Sequence, residues 1–274
     1  MNIKKLLRVS VMNLFAWFIT AIMLVPLLFI IINSFKTSSE AQQMSMAFPE
    51  VWQWVNFQIV IERGNLIVTF FNSMFYSVGS VLLTTLLAAL AAYVFARNKT
   101  KLNNFLYFFV VLGITMPINF ITLIRVMQVL QLMNSRIGII LLYSAIQIPF
   151  NVFLIYSFIG KIPQDIDEAA IIDGCSAIQL FVRVILPLLR PVLITVMVLT
   201  FLNTWNEFVL PLFILGNSNL WPMPLGVYNF FGMFHREWNL ISSYILLTSL
   251  PVIIVYLAGQ KYIVSGMTTG AVKG

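Results

Sequence analysis

The sequence predicts an all-α integral membrane protein, and three observations carry that prediction. Of its 274 residues 60% are hydrophobic and only 9% charged, against about a quarter charged in water-soluble domains. The apolar residues form near-continuous runs long enough for a bilayer-crossing helix, rather than the alternating pattern of an outer-membrane barrel. The basic residues gather at the ends of those runs, where topology signals sit.

Six spans are expected within one transmembrane domain covering 1–274: 11–33, 67–96, 102–124, 137–159, 191–215 and 240–262. The first follows Lys4, Lys5 and Arg8 and resembles a signal peptide. It is longer than the roughly 7 to 15 apolar residues of such a peptide, lacks a small-x-small cleavage site, and is therefore expected to remain. Pro26 is a candidate kink within it. In the second, Ala88, Ala89, Ala91 and Ala92 suit close helix packing. The third is interrupted by Pro117.

An internal N-terminus gathers Lys4, Lys5, Arg8, Arg97, Lys99, Lys101, Lys161, Arg183, Arg190, Lys261 and Lys273 on the cytoplasmic side, leaving Lys36, Arg63, Arg125, Arg136 and Arg236 outside. This asymmetry predicts that both termini and the 160–190 loop are cytoplasmic. The opposite topology remains an alternative.

Composition also excludes function classes. Cys175 and His235 are the only residues of their kinds, so neither a disulfide framework nor a His/Cys metal cluster can form. The basic residues make no stripe interleaved with aromatics, and a nucleic-acid partner is not expected. No nucleophile-base pairing and no Walker sequence occurs, so the chain is expected to be a non-enzyme that binds no cofactor of its own.

The 160–190 loop holds Asp165, Asp167, Glu168 and Asp173, four of the nine acidic residues. Pro163 suits a helix start, the carboxylates suit the positive end of the helix dipole, and Gly174 suits the stop, predicting a polar helix over 163–174. Ala169 and Ala170 would give it a low-profile patch, with Glu168 and Asp173 offering charge to a basic partner. An interfacial helix lying on lipid is the alternative, although such helices favour basic faces.

This segment resembles the EAA loop of permease subunits of ATP-binding-cassette importers: Glu-Ala-Ala, three residues, Gly, nine residues, Ile, one residue, Leu-Pro. Glu168, Ala169, Ala170, Gly174, Leu186 and Pro187 match at that spacing, and Val184 stands in place of Ile. The resemblance implies the type I importer fold, with the loop as a coupling helix seated on an ATPase subunit through Asp167, Glu168, Ala169, Ala170, Asp173, Gly174, Leu186 and Pro187. It also implies a bacterial plasma-membrane location, a second permease subunit, two ATP-binding subunits that hold the ATP and Mg, and an extracytoplasmic binding protein.

Two further segments, Asn33-Ser34-Phe35-Lys36-Thr37 with Glu40, and Gly266 to Gly274, look like the maltose-type carbohydrate-uptake branch. That likeness implies a sugar substrate. It also implies that a cytoplasmic tail, 263–274, reaches the ATPases through Thr268, Thr269, Gly270 and Lys273.

Glu207 lies inside the predicted fifth span, and an ionisable residue at that depth is a functional candidate. With Asn203, Asn206 and Trp205 it offers the amide, carboxylate and aromatic groups that a sugar needs, although Trp205 points away from the face shared by the other three. Asn119, Gln128, Gln147 and Asn151 are further candidates, and interhelical hydrogen bonding is their other reading. The aromatic loop 216–238 is either an interfacial anchor or a surface for the binding protein. A polyamine or other small-solute importer would also carry the EAA loop. An ion-coupled transporter with Glu207 as proton carrier would leave that loop without a purpose.

Overall fold

The computed structural model describes the backbone of residues 3–232 and 236–271, and the side chains of 10–232 and 236–263. Among these residues the regular elements are all helices: α1 (Ile3–Ser34), α2 (Ser38–Gln42), α3 (Val55–Arg63), α4 (Leu66–Arg97), α5 (Lys101–Leu112), α6 (Phe120–Val129), α7 (Arg136–Ile159) and α8 (Asp165–Ile172). Then come α9 (Ala177–Gln179), a π-helical stretch (Leu180–Ile185), α10 (Leu186–Leu188), α11 (Arg190–Asn206), α12 (Val209–Ile214), α13 (Met223–Gly226) and α14 (Trp238–Ala271). The chain divides into two compact units, residues 1–67 with 226–250, and residues 68–225 with 251–274.

In the first unit the end of α1 is held by side chains. A helix end leaves its last carbonyls without partners. Here the Ser34 carbonyl accepts from Asn56 Nδ2 at 2.9 Å and from Ser243 Oγ at 2.9 Å, while Asn239 Nδ2 donates to Asn56 Oδ1 at 3.0 Å. Lys36 is buried and its Nζ donates to the Ser45 carbonyl at 2.7 Å. Thr37 and Glu40 form a capping box at the start of α2, satisfying two orphan N–H groups reciprocally. The Asn33-to-Glu40 segment therefore has a folding role that its residue types explain. Beside it, Val60, Phe230, Leu240, Ile241 and Tyr244 form an apolar core.

In the second unit α4 presents buried residues at helical spacing: Ser73, Ser77, Ser80, Thr84, Ala88, Ala92 and Ala96. Its alanines pack with Val152, Ile155 and Ile159 of α7 and with Val192 and Val196 of α11. A second cluster joins Tyr76, Ile139, Tyr143, Leu210 and Ile214.

Four helices are long and apolar enough to cross a membrane: Ser10–Ser34, Leu66–Arg97, Arg136–Ile159 and Trp238–Ile263. A fifth candidate is the pair Ala177–Leu188 and Arg190–Asn206, bent by 77°. Two expected spans thus differ from single rods. The 102–124 stretch breaks over 113–119 into α5 of 12 residues and α6 of 10, about 18 and 15 Å long and each short of a roughly 30 Å hydrocarbon core. Pro117 lies in this break, where its missing N–H and restricted predecessor oppose a helix. The 191–215 stretch breaks at Glu207 and Phe208 between α11 and α12. Pro26 sits within a helix that runs uninterrupted from Ile3 to Ser34.

Candidate functional site

The acidic loop builds a short, firmly seated helix. It is α8, eight residues long and shorter at both ends than the expected 163–174, with Gln164 as its N-cap and Pro163 ahead of the cap. Asp165, Asp167 and Glu168 occupy its first turn, where carboxylates offset the helix dipole. Gly174 terminates it at φ +83°, a left-handed conformation that costs a residue with a Cβ roughly 1 to 2 kcal/mol. The Cys175 N–H donates to the Ala170 carbonyl and the Gly174 N–H to that of Ile171, each at 3.0 Å, which is the Schellman closure.

Two members of the expected docking set face inward. Asp167 is buried, and Arg97 at the end of α4 grips it with Nε to Oδ2 at 2.6 Å and Nη2 to Oδ1 at 3.2 Å. Ala170 is also buried and packs in the cluster with Ala92 and Ile159. Its small side chain serves that close approach, so the alanine pair forms no outer patch. The exposed residues are Asp165, Glu168, Ala169, Ile171, Ile172 and Asp173, and 165, 168, 169 and 172 share one helical stripe. Ile172 is 85% exposed, a knob that sequence reading passed over; an isoleucine four residues after Glu168 was the available signal.

Beyond Gly174, Ser176 and Gln179 form a capping box. The chain then widens into the π-helical stretch, where Leu186 N–H donates to the Phe181 carbonyl five residues back. Pro187 supplies the reason, because it has no N–H for the carbonyl four residues earlier and its ring crowds that group. Leu186 is partly buried against the same cluster, while Pro187 is exposed.

A family model for the inner membrane component of binding-protein-dependent transport systems matches residues 84–269. The chain belongs to this family. This inner-membrane component, a multi-pass membrane protein, is 34% identical to the multiple sugar-binding transport system permease protein of Streptococcus mutans, over 92% of each chain. It is 31% identical to the diacetylchitobiose uptake system permease protein of Streptomyces coelicolor, over 93% of this chain and 85% of that one. Its fold matches a chain from the crystal structure of a bacterial ABC transporter involved in the import of the acidic polysaccharide alginate, with a TM-score of 0.82 at 20% identity, over 95% of this chain and 96% of the other.

The expected pathway residues of the inner-membrane component fall into different environments. Glu207 is partly buried in the break after α11, and its Oε1 accepts from the N–H groups of Val209 at 2.8 Å and Leu210 at 3.0 Å. It satisfies the start of α12 rather than lying along a continuous helix face. Asn203 and Asn206 are exposed, and Asn203 Nδ2 donates to Gln147 Oε1 at 3.3 Å. Trp205 is fully buried, stacked on Phe201 and edge-on to Phe70, which leaves it no face for a ligand. Asn151 is fully buried, its Nδ2 donating to Thr200 Oγ1 at 2.8 Å; it joins helices. Asn119 caps α6 by accepting from the Thr122 N–H, and Gln128 accepts from Arg125.

In the 216–238 loop, the part up to Leu225 is tied to α4. Asn72 donates to the carbonyls of Asn219 and Trp221, Tyr76 to that of Leu220, and the Met223 N–H to Ser73 Oγ. Tyr228 and Phe231 remain exposed. Thr268, Thr269 and Gly270 lie in the last turns of α14, their side chains outside the described residues, and Lys273 lies wholly outside them.

Proposed function

We propose that this chain is one permease subunit of an ATP-driven, binding-protein-dependent importer of carbohydrate, paired with a second permease subunit and seated on two ATP-binding subunits. The observation that carries this reading is α8 itself: a helix whose base is fixed by Arg97 and the Gly174 closure and whose exposed stripe combines carboxylates with Ile172. That stripe suits a partner cleft with an apolar floor and basic rim, because charge selects the partner while burial of Ile172 holds it. The sugar class is supported by the permeases that resemble the chain along almost its whole length. Partner ATPases supply ATP and Mg; this chain supplies a path and a lever.

In this reading the chain crosses the membrane six times, with α5 and α6 together making the third crossing and the helices after the π-helical stretch the fifth. Both termini and α8 face the cytoplasm. Asn203 and Gln147, polar and hydrogen-bonded to each other, are the groups on α11 and α7 best placed to line the path; Glu207 shapes the break beside them. The exposed Tyr228 and Phe231 belong to the face that meets the binding protein, and the 263–274 tail meets the ATPases.

The reading is tested with the purified complex in proteoliposomes, supplying a binding protein loaded with a labelled oligosaccharide. The label accumulates only with ATP and the binding protein present. Accumulation driven by an ion gradient without ATP would overturn the proposal.

A further inference from the structure

We infer that the Arg97–Asp167 pair is a rigid joint that makes α4 a transmission rod between α8 and the loop at the opposite end of α4. The inference rests on the proposed coupling role of α8 and concerns how its displacement is carried onward.

At the joint, the planar guanidinium matches the carboxylate with two hydrogen bonds and sends a third, from Nη1, to the Ile162 carbonyl at 3.2 Å. Both side chains are 12% exposed. A fork-to-fork pair fixes direction as well as distance, and where water is scarce a broken bond finds no replacement. Arg97 is the last residue of α4 and Asp167 stands in the first turn of α8, so each charge also suits the helix dipole at its own end. The C-terminal half of α8 is held differently, by Ala170 in apolar packing. Apolar contact tolerates sliding; the guanidinium fork does not.

The rod is α4. The other three long helices carry an interior proline, Pro26, Pro149 and Pro251, whereas α4 has none in 32 residues. Helices bend most readily at proline and at Gly/Ser pairs; α4 has only the second kind, Gly79-Ser80. That pair is packed against Ile140 of α7, where a Cβ on Gly79 would meet the Ile140 side chain at 2.7 Å and Ser80 Oγ donates to the Ile140 carbonyl at 3.5 Å, so α4 is the long helix best built to move as one piece. From Arg97 to Asn72 it spans about 37 Å at 1.5 Å per residue. At that far end Asn72 donates to the carbonyls of Asn219 at 2.8 Å and Trp221 at 3.1 Å, Tyr76 donates to Leu220 at 2.8 Å, and Ser73 Oγ accepts from the Met223 N–H at 2.7 Å. Arg136 completes the grip by donating to Asn72 Oδ1 at 3.1 Å. A displacement of α8 that pulls on Arg97 therefore moves the backbone of residues 219–223, and an event at that loop reaches α8 by the reverse route, as reciprocity of coupling requires.

The test uses Arg97→Lys in the assembled complex, which keeps the charge and removes the fork. Five readouts are taken: assembly of the complex, basal ATP hydrolysis, its stimulation by the loaded binding protein, uptake, and hydrogen exchange of residues 219–223 with and without nucleotide. The expected result is assembly and basal hydrolysis near wild type, stimulation and uptake reduced about tenfold, within the range usual for coupling between sites, and loss of the nucleotide-dependent exchange change at 219–223. Stimulation and exchange response within twofold of wild type would overturn the joint. So would a parallel fall in assembly, basal hydrolysis and uptake, which would mark the pair as a fold clamp. Glu168→Lys, measured alongside, separates this from the docking proposal: normal uptake in Glu168→Lys removes that proposal, whereas lost uptake there with an unaffected Arg97→Lys removes the joint alone.

Discussion

At the scale of single residues, burial decides which charges are available to a partner. Asp167 and Glu168 are adjacent and chemically alike, yet one is clamped by Arg97 and the other is exposed. Both were legible as first-turn carboxylates; their directions were not, because Arg97 lies 70 residues away and reads equally well as a topology signal. Glu40 shows the same dependence on local partners. The Glu50 N–H, the Thr37 hydroxyl and the Thr37 N–H, in that order, hold its carboxyl at about 2, from an ordinary 4.5. The fold therefore favours the ionised form, and the stability this contributes is fully present above about pH 4.5 and lost as the pH falls through about 2. Protection of the Glu50 N–H, taken as its exchange rate relative to the intrinsic rate at each pH, should fall as the pH drops across that window in the wild type and show no such step in Glu40→Gln.

At the scale of elements, stops and breaks carry the design. Gly174 was legible as a stop because a lone glycine after an acidic, alanine-containing run is the usual closing residue. Gly174→Ala should cost about 1 to 2 kcal/mol through its positive φ, seen as a lower melting temperature in detergent together with faster exchange at the Cys175 N–H. An unchanged melt would contradict the closure. The break at Glu207 was not legible: a polar residue within an apolar run marks an unusual position without saying that the helix ends there. Its two bonds to the start of α12 give a distinct expectation. Glu207→Gln keeps an acceptor oxygen and should retain assembly, while Glu207→Leu should destabilise by about 1 kcal/mol, the usual cost of a lost cap. Equal stability of the two variants would return Glu207 to a pathway role. Pro117, by contrast, marked the α5–α6 break in advance, because its missing N–H and its ring work against a helix, although Pro26, Pro149 and Pro251 sit inside long helices that absorb them.

At the scale of the whole molecule, composition alone established a helical membrane protein, and the spacing from Glu168 to Pro187 pointed to the family before any geometry was known. Less legible were the contacts that turn separate helices into a mechanism. Asn72 with Asn219 and Trp221, Arg97 with Asp167 and Asn151 with Thr200 all join residues far apart in sequence, and neither periodicity nor local propensity encodes such pairs. The permease account depends most on the exposed stripe of α8 being the seat of an ATPase subunit. The direct measurement is ATP-dependent uptake by Glu168→Lys beside wild type, in proteoliposomes carrying equal amounts of inserted permease. Loss of uptake with insertion intact is the predicted result; undiminished uptake would contradict it.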